Sequence, residues 1–221
     1  MGYNIGLGKT TPYLALGGEI RPSEIDDVKQ YIYSKPAVGD SAIVATIPGN
    51  VTTGTVTLAE LDYPRNLSVK FVENSGTAWI CTVTVTGKNQ FGEAITETFT
   101  NTNEGTVTVD GAKIFHSLSA VTAAHASGTA ADDIAIGYCI SAGTAKLGLF
   151  TKISKNTDVR RVTWVDNAVT KPGTVEVDTT YHAIIPSAAV AAADDYVVWV
   201  KPNYAGNDDP VGNMGTSAFI S

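Results

Sequence analysis

Basic residues are scarce in this chain. Lysine and arginine together number 15 in 221 residues, against 22 acids, for a net charge of −7. The arginines are Arg21, Arg65, Arg160 and Arg161. Proteins that hold nucleic acid concentrate cations to displace counterions from phosphate. A chain whose one arginine doublet is Arg160-Arg161 is not expected to bind nucleic acid. Apolar runs are short as well. None reaches the roughly 18 residues that cross a bilayer as a helix, so no membrane partner is expected.

Cysteine is nearly absent, with Cys81 and Cys139 alone. The opening MGYNIGLGKT lacks the basic head and apolar core of a secretory signal, so synthesis and residence in a reducing compartment are expected. The two thiols then read as buried and reduced rather than as a disulfide. Without export, the sequons Asn50-Val-Thr and Asn66-Leu-Ser carry no glycan.

Residue sets that carry catalysis are missing too. His116, His125 and His182 are far apart and lack metal-ligand spacing, so they read as ordinary hydrogen-bonded side chains. Neither cysteine has a CxxC partner or an adjacent base. GDSAI at 39–43 fails the final glycine of a serine nucleophile elbow. Gly8-Lys9-Thr10 has the tail of a phosphate loop, but Tyr3 stands where its first glycine belongs. The few residues before it are not expected to form the strand such a loop follows, and Pro12 sits awkwardly for an opening helix. Acid pairs occur at Asp26-Asp27, Asp132-Asp133, Asp194-Asp195 and Asp208-Asp209, and most read as turn and cap residues. GNDDPVGN at 206–213, with Asp208 and Asp209, is dense in oxygen donors but lacks the ordered spacing of a calcium loop. The expectation is a chain with no catalytic residues, no cofactor and no metal.

What the chain does have is threonine, glycine and alternation. It is 43% hydrophobic and only 17% charged, which suits a surface covered by partners. Residues 1–40 combine six glycines and three prolines with scattered apolar side chains. This reads as an N-terminal arm that lies on another surface, with Tyr3, Ile5, Leu7, Tyr13 and Leu14 as its anchors, or equally as a strand-and-loop lead-in to the same core. One short helix is expected inside it. Ser23 caps it, Asp26 holds the third position, Ile25, Val28 and Ile32 recur at helical spacing, and Pro36 ends it.

From residue 41 the period changes to two. Trp79, Cys81, Val83 and Val85 share one strand face, and Ile80, Thr82, Thr84 and Thr86 the other. Leu67, Val69 and Phe71 alternate with Ser68 and Lys70. Turn signals at 74–76, 87–92 and 101–105 separate such runs, and Asp110-Gly111 reads as a two-residue hairpin turn between TVTV and AKIF. Residues 41–150 are therefore expected to form an antiparallel β-sandwich or jelly-roll-like core. Residues 151–221 continue with TKIS, RRVTWV, TVEV, YHAII and DYVVWV as strands, a β-rich extension packed on the same core. PSAAVAAADD at 186–195 suits a helical turn or a loop, and Trp164 and Trp199 read as core rather than a sugar-stacking platform.

Residues 60–149 carry a resemblance. Pro64-Arg65-Asn66 at a strand start, the Gly87–Thr98 hairpin, the Lys113–Val121 strand and Gly137 with Lys146-Leu147-Gly148-Leu149 are similar to motifs of tailed-bacteriophage virion proteins often encoded near the major capsid protein. DYVVWV resembles that family's end strand. The resemblance implies a head decoration or cement protein: a non-enzymatic trimer on the capsid surface, made in the bacterial cytoplasm, with the major capsid protein as partner. A receptor- or carbohydrate-binding module of a virion fibre, or a tail or connector component, is the alternative.

Overall fold

The structure, a computed structural model, describes residues 29–49, 61–76, 80–102, 105–125, 129, 131–166, 169–172 and 175–201. They form an all-β chain. Its strands are β1 (Lys29–Ser34), β2 (Val44–Pro48), β3 (Leu67–Val72), β4 (Cys81–Lys88), β5 (Ala94–Asn101), β6 (Val107–Asp110) and β7 (Ser117–His125). There follow β8 (Asp133–Tyr138), β9 (Leu147–Gly148), β10 (Val159–Asp166), β11 (Val169–Pro172), β12 (Val175–Asp178), β13 (Ala183–Pro186) and β14 (Asp195–Val200). A 3-10 turn over Asn156–Asp158 is the helical element among the described residues.

The strands assemble into four antiparallel sheets that face each other in pairs. Sheet β2-β8-β3-β6 packs on sheet β5-β4-β7 through a core that includes Leu67, Val69, Phe71, Val83, Phe99, Ile134 and Ile136. Sheet β1-β14-β10-β11 and sheet β12-β13-β9 share a second core around Tyr33, Leu147, Leu149, Ile184, Tyr196 and Val198. The molecule is thus sandwich-like twice over. Ile140, just after β8, packs against both cores.

Alternation explains the first pair. In β4 the side chains of Cys81, Val83 and Val85 are buried, while Thr82, Thr84 and Thr86 face outward. Cys81 and Cys139 are buried free thiols, each pushed up to about 11 by burial, and hence protonated and inert at neutral pH.

Pro64-Arg65-Asn66 joins the two halves. Arg65 exchanges both backbone hydrogen bonds with Phe115 and also bridges Leu147, while Gly148 N donates to Pro64 O at 2.7 Å. The Arg65 side chain is fully buried over the Tyr138 ring, 4.2 Å from its centroid, and its Nη1 contacts Asp62 Oδ2 at 3.3 Å and donates to Ala37 O at 2.5 Å. Asn66, also fully buried, donates from Nδ2 to Gly111 O (2.7 Å) and Thr144 O (3.0 Å), and its Oδ1 accepts from Lys146 N (2.7 Å). A buried asparagine at this position is closed to glycosylation.

Several sequence expectations are corrected. Residues 29–34 are a strand in register with β14, where a helix was expected. Ile32 is 57% exposed while Tyr33 is buried, so the helical spacing that includes Ile32 marks no buried stripe. Residues 23–28 lie outside the described residues. Asp110-Gly111 is not a hairpin turn. β6 pairs with β3, and the chain then crosses to the other sheet, where AKIF forms only the Phe115 bridge to Arg65. Gly111 lacks the positive φ that a tight hairpin turn needs; a Cβ there would sit 2.6 Å from Glu97 Oε2 and 2.9 Å from Phe99 Cζ. TKIS is irregular rather than a strand, although Ile153 is buried in the second core. Of the two readings of 186–195, the loop holds: residues 187–194 are loop, anchored by Asp194 Oδ2, which accepts from Ala191 N (3.2 Å) and Tyr196 OH (3.0 Å). Trp199 is half-buried on the side of β14 opposite the core, since Tyr196, Val198 and Val200 take the inner face.

Candidate functional site

Two loops, one from each half, enclose a cleft of about 240 Å³. The first connects β4 to β5. Asn89 organises it: its Oδ1 accepts from Phe91 N (2.9 Å) and Glu93 N (3.0 Å), and its Nδ2 donates to Glu93 Oε2 (2.7 Å). An asparagine that folds the backbone onto its own side chain is a recurrent turn device. Here it holds Gln90 inward, 7% exposed, beside a half-buried Phe91.

The second loop connects β12 to β13. Asp178 Oδ1 accepts from Thr180 N (2.9 Å) and Tyr181 N (3.0 Å), while its Oδ2 receives Lys146 Nζ at 2.7 Å. Burial works to raise the Asp178 carboxyl, but these bonds and the Lys146 charge outweigh it and hold it below its ordinary value. His182 follows at φ +53°, a left-handed conformation in which histidine is among the better-tolerated side chains. Its Nδ1 lies 3.2 Å from Ile153 N and 3.1 Å from Ile153 O. Burial, aided by the Lys152 charge, lowers its pKa, so the ring is neutral at pH 7.

The loops meet through Gln90, whose Nε2 donates to Tyr181 O at 2.8 Å, and through Phe91, edge-on to the His182 ring at 5.4 Å. Lys113 and Lys152 complete the wall. Lys113 Nζ is held by Thr96 O at 2.6 Å, whereas Lys152 Nζ lies over the Phe91 ring, 5.4 Å from its centroid. Among the described residues no carboxylate pairs with Lys152.

A second feature is the outer face of β5-β4-β7. The registers place Thr100, Thr82 and Ala124 in one row, Thr98, Thr84 and Thr122 in the next, and Thr96, Thr86 and Ala120 in a third. Thr82 and Thr100, and Thr86 and Thr96, lie 3.4 Å apart through their hydroxyl oxygens. Ile80, 46% exposed, precedes β4 beside this grid. These nine positions, seven threonines and two alanines in three rows, make a chargeless face.

The sequence-singled residues divide as follows. The arm anchors Tyr3, Ile5, Leu7, Tyr13 and Leu14, the Gly8-Lys9-Thr10 segment and the acidic pair Asp208-Asp209 lie outside the described residues. His116 is exposed and edge-on to Phe150 at 5.4 Å, far in sequence from His182, and His125 lies at the end of β7. Asp132 is fully buried and acts as a loop clamp, accepting from Asn74 N (3.0 Å), Ser75 N (3.1 Å) and Thr129 N (2.8 Å). Among the described residues no group of three or more His, Cys, Asp or Glu side chains is placed to hold a metal, and no helix is long and apolar enough to cross a membrane. Sequence reasoning missed Gln90, Phe91, Lys152 and Tyr181. The turn signal at 87–92 marked one loop, but nothing in the sequence paired it with residues 180–182. Compared with family models, curated proteins and solved structures, the chain matches none.

Proposed function

We propose that this chain is a structural virion protein: a decoration or cement protein that docks as a trimer on the outside of a phage capsid and braces the lattice of major capsid proteins. In this reading it carries no catalytic activity. Support comes from the threonine-alanine grid on β5-β4-β7, together with the motif resemblance of residues 60–149.

Threonine suits a docking face for a physical reason. Its β-branched side chain is stiff at χ1, so little rotamer freedom is lost on contact, and burial of uncharged rows avoids the desolvation cost of a charge. From strand spacings of about 4.8 Å and a rise of about 3.4 Å per residue, the grid covers roughly 300 Å². A stable interface buries about 800 Å² per partner. The face alone is therefore too small, and repeated attachment around a trimer, or an arm anchored by Tyr3, Ile5 and Leu7, supplies the remainder by avidity.

Co-sedimentation of the purified chain with assembled tailed-phage capsid shells tests this. The expected result is saturable pelleting, lowered about tenfold or more in affinity by Thr84→Arg combined with Thr98→Arg, which introduces two charges into the contact. Wild-type protein left in the supernatant refutes the proposal.

A further inference from the structure

We propose that the cleft between the β4–β5 and β12–β13 loops binds a single acidic sugar residue, a pyranose bearing a carboxylate. The inference goes beyond capsid attachment and does not depend on it.

Size comes first. At about 240 Å³ the cleft falls below the roughly 300–1,000 Å³ of pockets for drug-sized ligands, and it suits one ring. Unmet polar capacity comes second. Gln90 lines the cleft with its Nε2 committed to Tyr181 O, which fixes the amide orientation and leaves the carbonyl Oε1 as the free end. That oxygen is buried and has no hydrogen-bond donor. A buried acceptor without a partner is unfavourable, so a ligand hydroxyl that donates to it is favoured.

Charge comes third. Lys152 Nζ stands at the cleft over an aromatic ring with no paired carboxylate among the described residues, while Lys146 is neutralised by Asp178 and Lys113 is tied to Thr96 O. The open cation favours a ligand carboxylate. Glu93, on the same loop as Gln90, is held by Asn89 and offers its other oxygen to a ligand hydroxyl. Tyr181 and Phe91 contribute the apolar surface that a pyranose ring covers with its C–H face. His182, neutral at pH 7, adds no competing charge. Acetate satisfies Lys152 but not Gln90, and a neutral hexose satisfies Gln90 but not Lys152.

Titration of isotope-labelled protein with sodium glucuronate, glucose and sodium acetate, followed by amide NMR, separates these. Glucuronate is expected to shift the amides of residues 89–93 and 180–182 saturably, with glucose and acetate each at least about tenfold weaker, the worth of one charge-assisted hydrogen bond. Lys152→Gln, at a half-exposed position, should weaken glucuronate about tenfold and leave glucose unchanged. Gln90→Met, which conserves volume, should weaken both sugars and spare acetate. Equal binding of all three probes, or no shift at these loops with glucuronate, overturns the assignment. Capsid co-sedimentation is unaffected by either outcome, so the two proposals fail separately.

Discussion

Replacing Asn66 with alanine should be among the most damaging single changes in the described fold. Asn66 is fully buried and makes three side-chain hydrogen bonds, two through Nδ2 to the carbonyls of Gly111 and Thr144 and one through Oδ1 from Lys146 N. The three partners belong to two different segments. Gly111 leads from β6 toward β7, while Thr144 and Lys146 lead into β9. Truncation leaves two carbonyls and one N–H without their partner in a site that water does not readily reach. Each orphaned buried group costs about 1–3 kcal/mol, so the sum is about 3–6 kcal/mol once local relaxation is allowed. Against a typical total of about 5–15 kcal/mol this is a large fraction. Urea unfolding followed by circular dichroism measures it, with Asn89→Ala, in the exposed β4–β5 loop, as the comparison. The buried change should shift the midpoint strongly, and the loop change by about 1 kcal/mol or less. A loss below about 1 kcal/mol for Asn66→Ala, at unchanged m-value, would refute the claim that this side chain holds the two halves in register.

Gly137→Ala should unfold or aggregate the protein, because a Cβ at that point of β8 would stand 2.0 Å from Gly39 O and 2.7 Å from Asp40 Cα; soluble expression with a near-native melting temperature would count against the close backbone approach. Acid should destabilise the fold through Asp132 and Asp178. For Asp132, burial acts to raise the carboxyl, but hydrogen bonds from Thr129, Asn74 and Ser75 prevail and hold it low. A depressed carboxyl contributes its full stability above its unfolded value and loses it as pH falls through the folded one. The stability gap between wild type and Asp132→Asn should therefore be full at neutral pH and close as pH falls below about 4; a gap that stays constant to pH 2 contradicts it.

Legibility in the sequence follows burial geometry. β4 is buried on one face and half-solvated on the other, so Cys81, Val83 and Val85 alternate with threonine and the strand is readable. β1 misleads because its register with β14 buries Tyr33 and exposes Ile32, and the neighbouring Ile25, Val28 and Ile32 happen to repeat at helical spacing. Asp110-Gly111 has the composition of a hairpin turn, yet the glycine is there for close approach to Glu97 and Phe99, a demand set by a strand of the other sheet. Local composition cannot encode that. The cleft fails for the same reason. Asn89 and Asp178 each announce a turn, but only tertiary packing brings Gln90 within 2.8 Å of Tyr181 O.

A two-core β protein must solve a problem that a single sandwich does not, since its two sandwiches must be fixed relative to each other. Here the solution is to thread one segment, Pro64–Asn66, between the halves. Its backbone hydrogen-bonds to Phe115 on one side and meets Leu147 and Gly148 on the other. Arg65 and Asn66 are then buried polar groups with long reach rather than apolar filler, because only a side chain with several donors and acceptors can fix three loops at once. The cost is visible: Arg65 Nε and Nη2 have no hydrogen-bond partner, and burial lowers the guanidinium's pKa despite the Asp62 charge. Apolar replacements of similar volume often match a buried ion pair in stability, so stability alone does not explain an arginine here. Fixing the relative position of the two sandwiches does. The same positioning brings the β4–β5 loop against the β12–β13 loop, so the seam that joins the cores also creates the cleft.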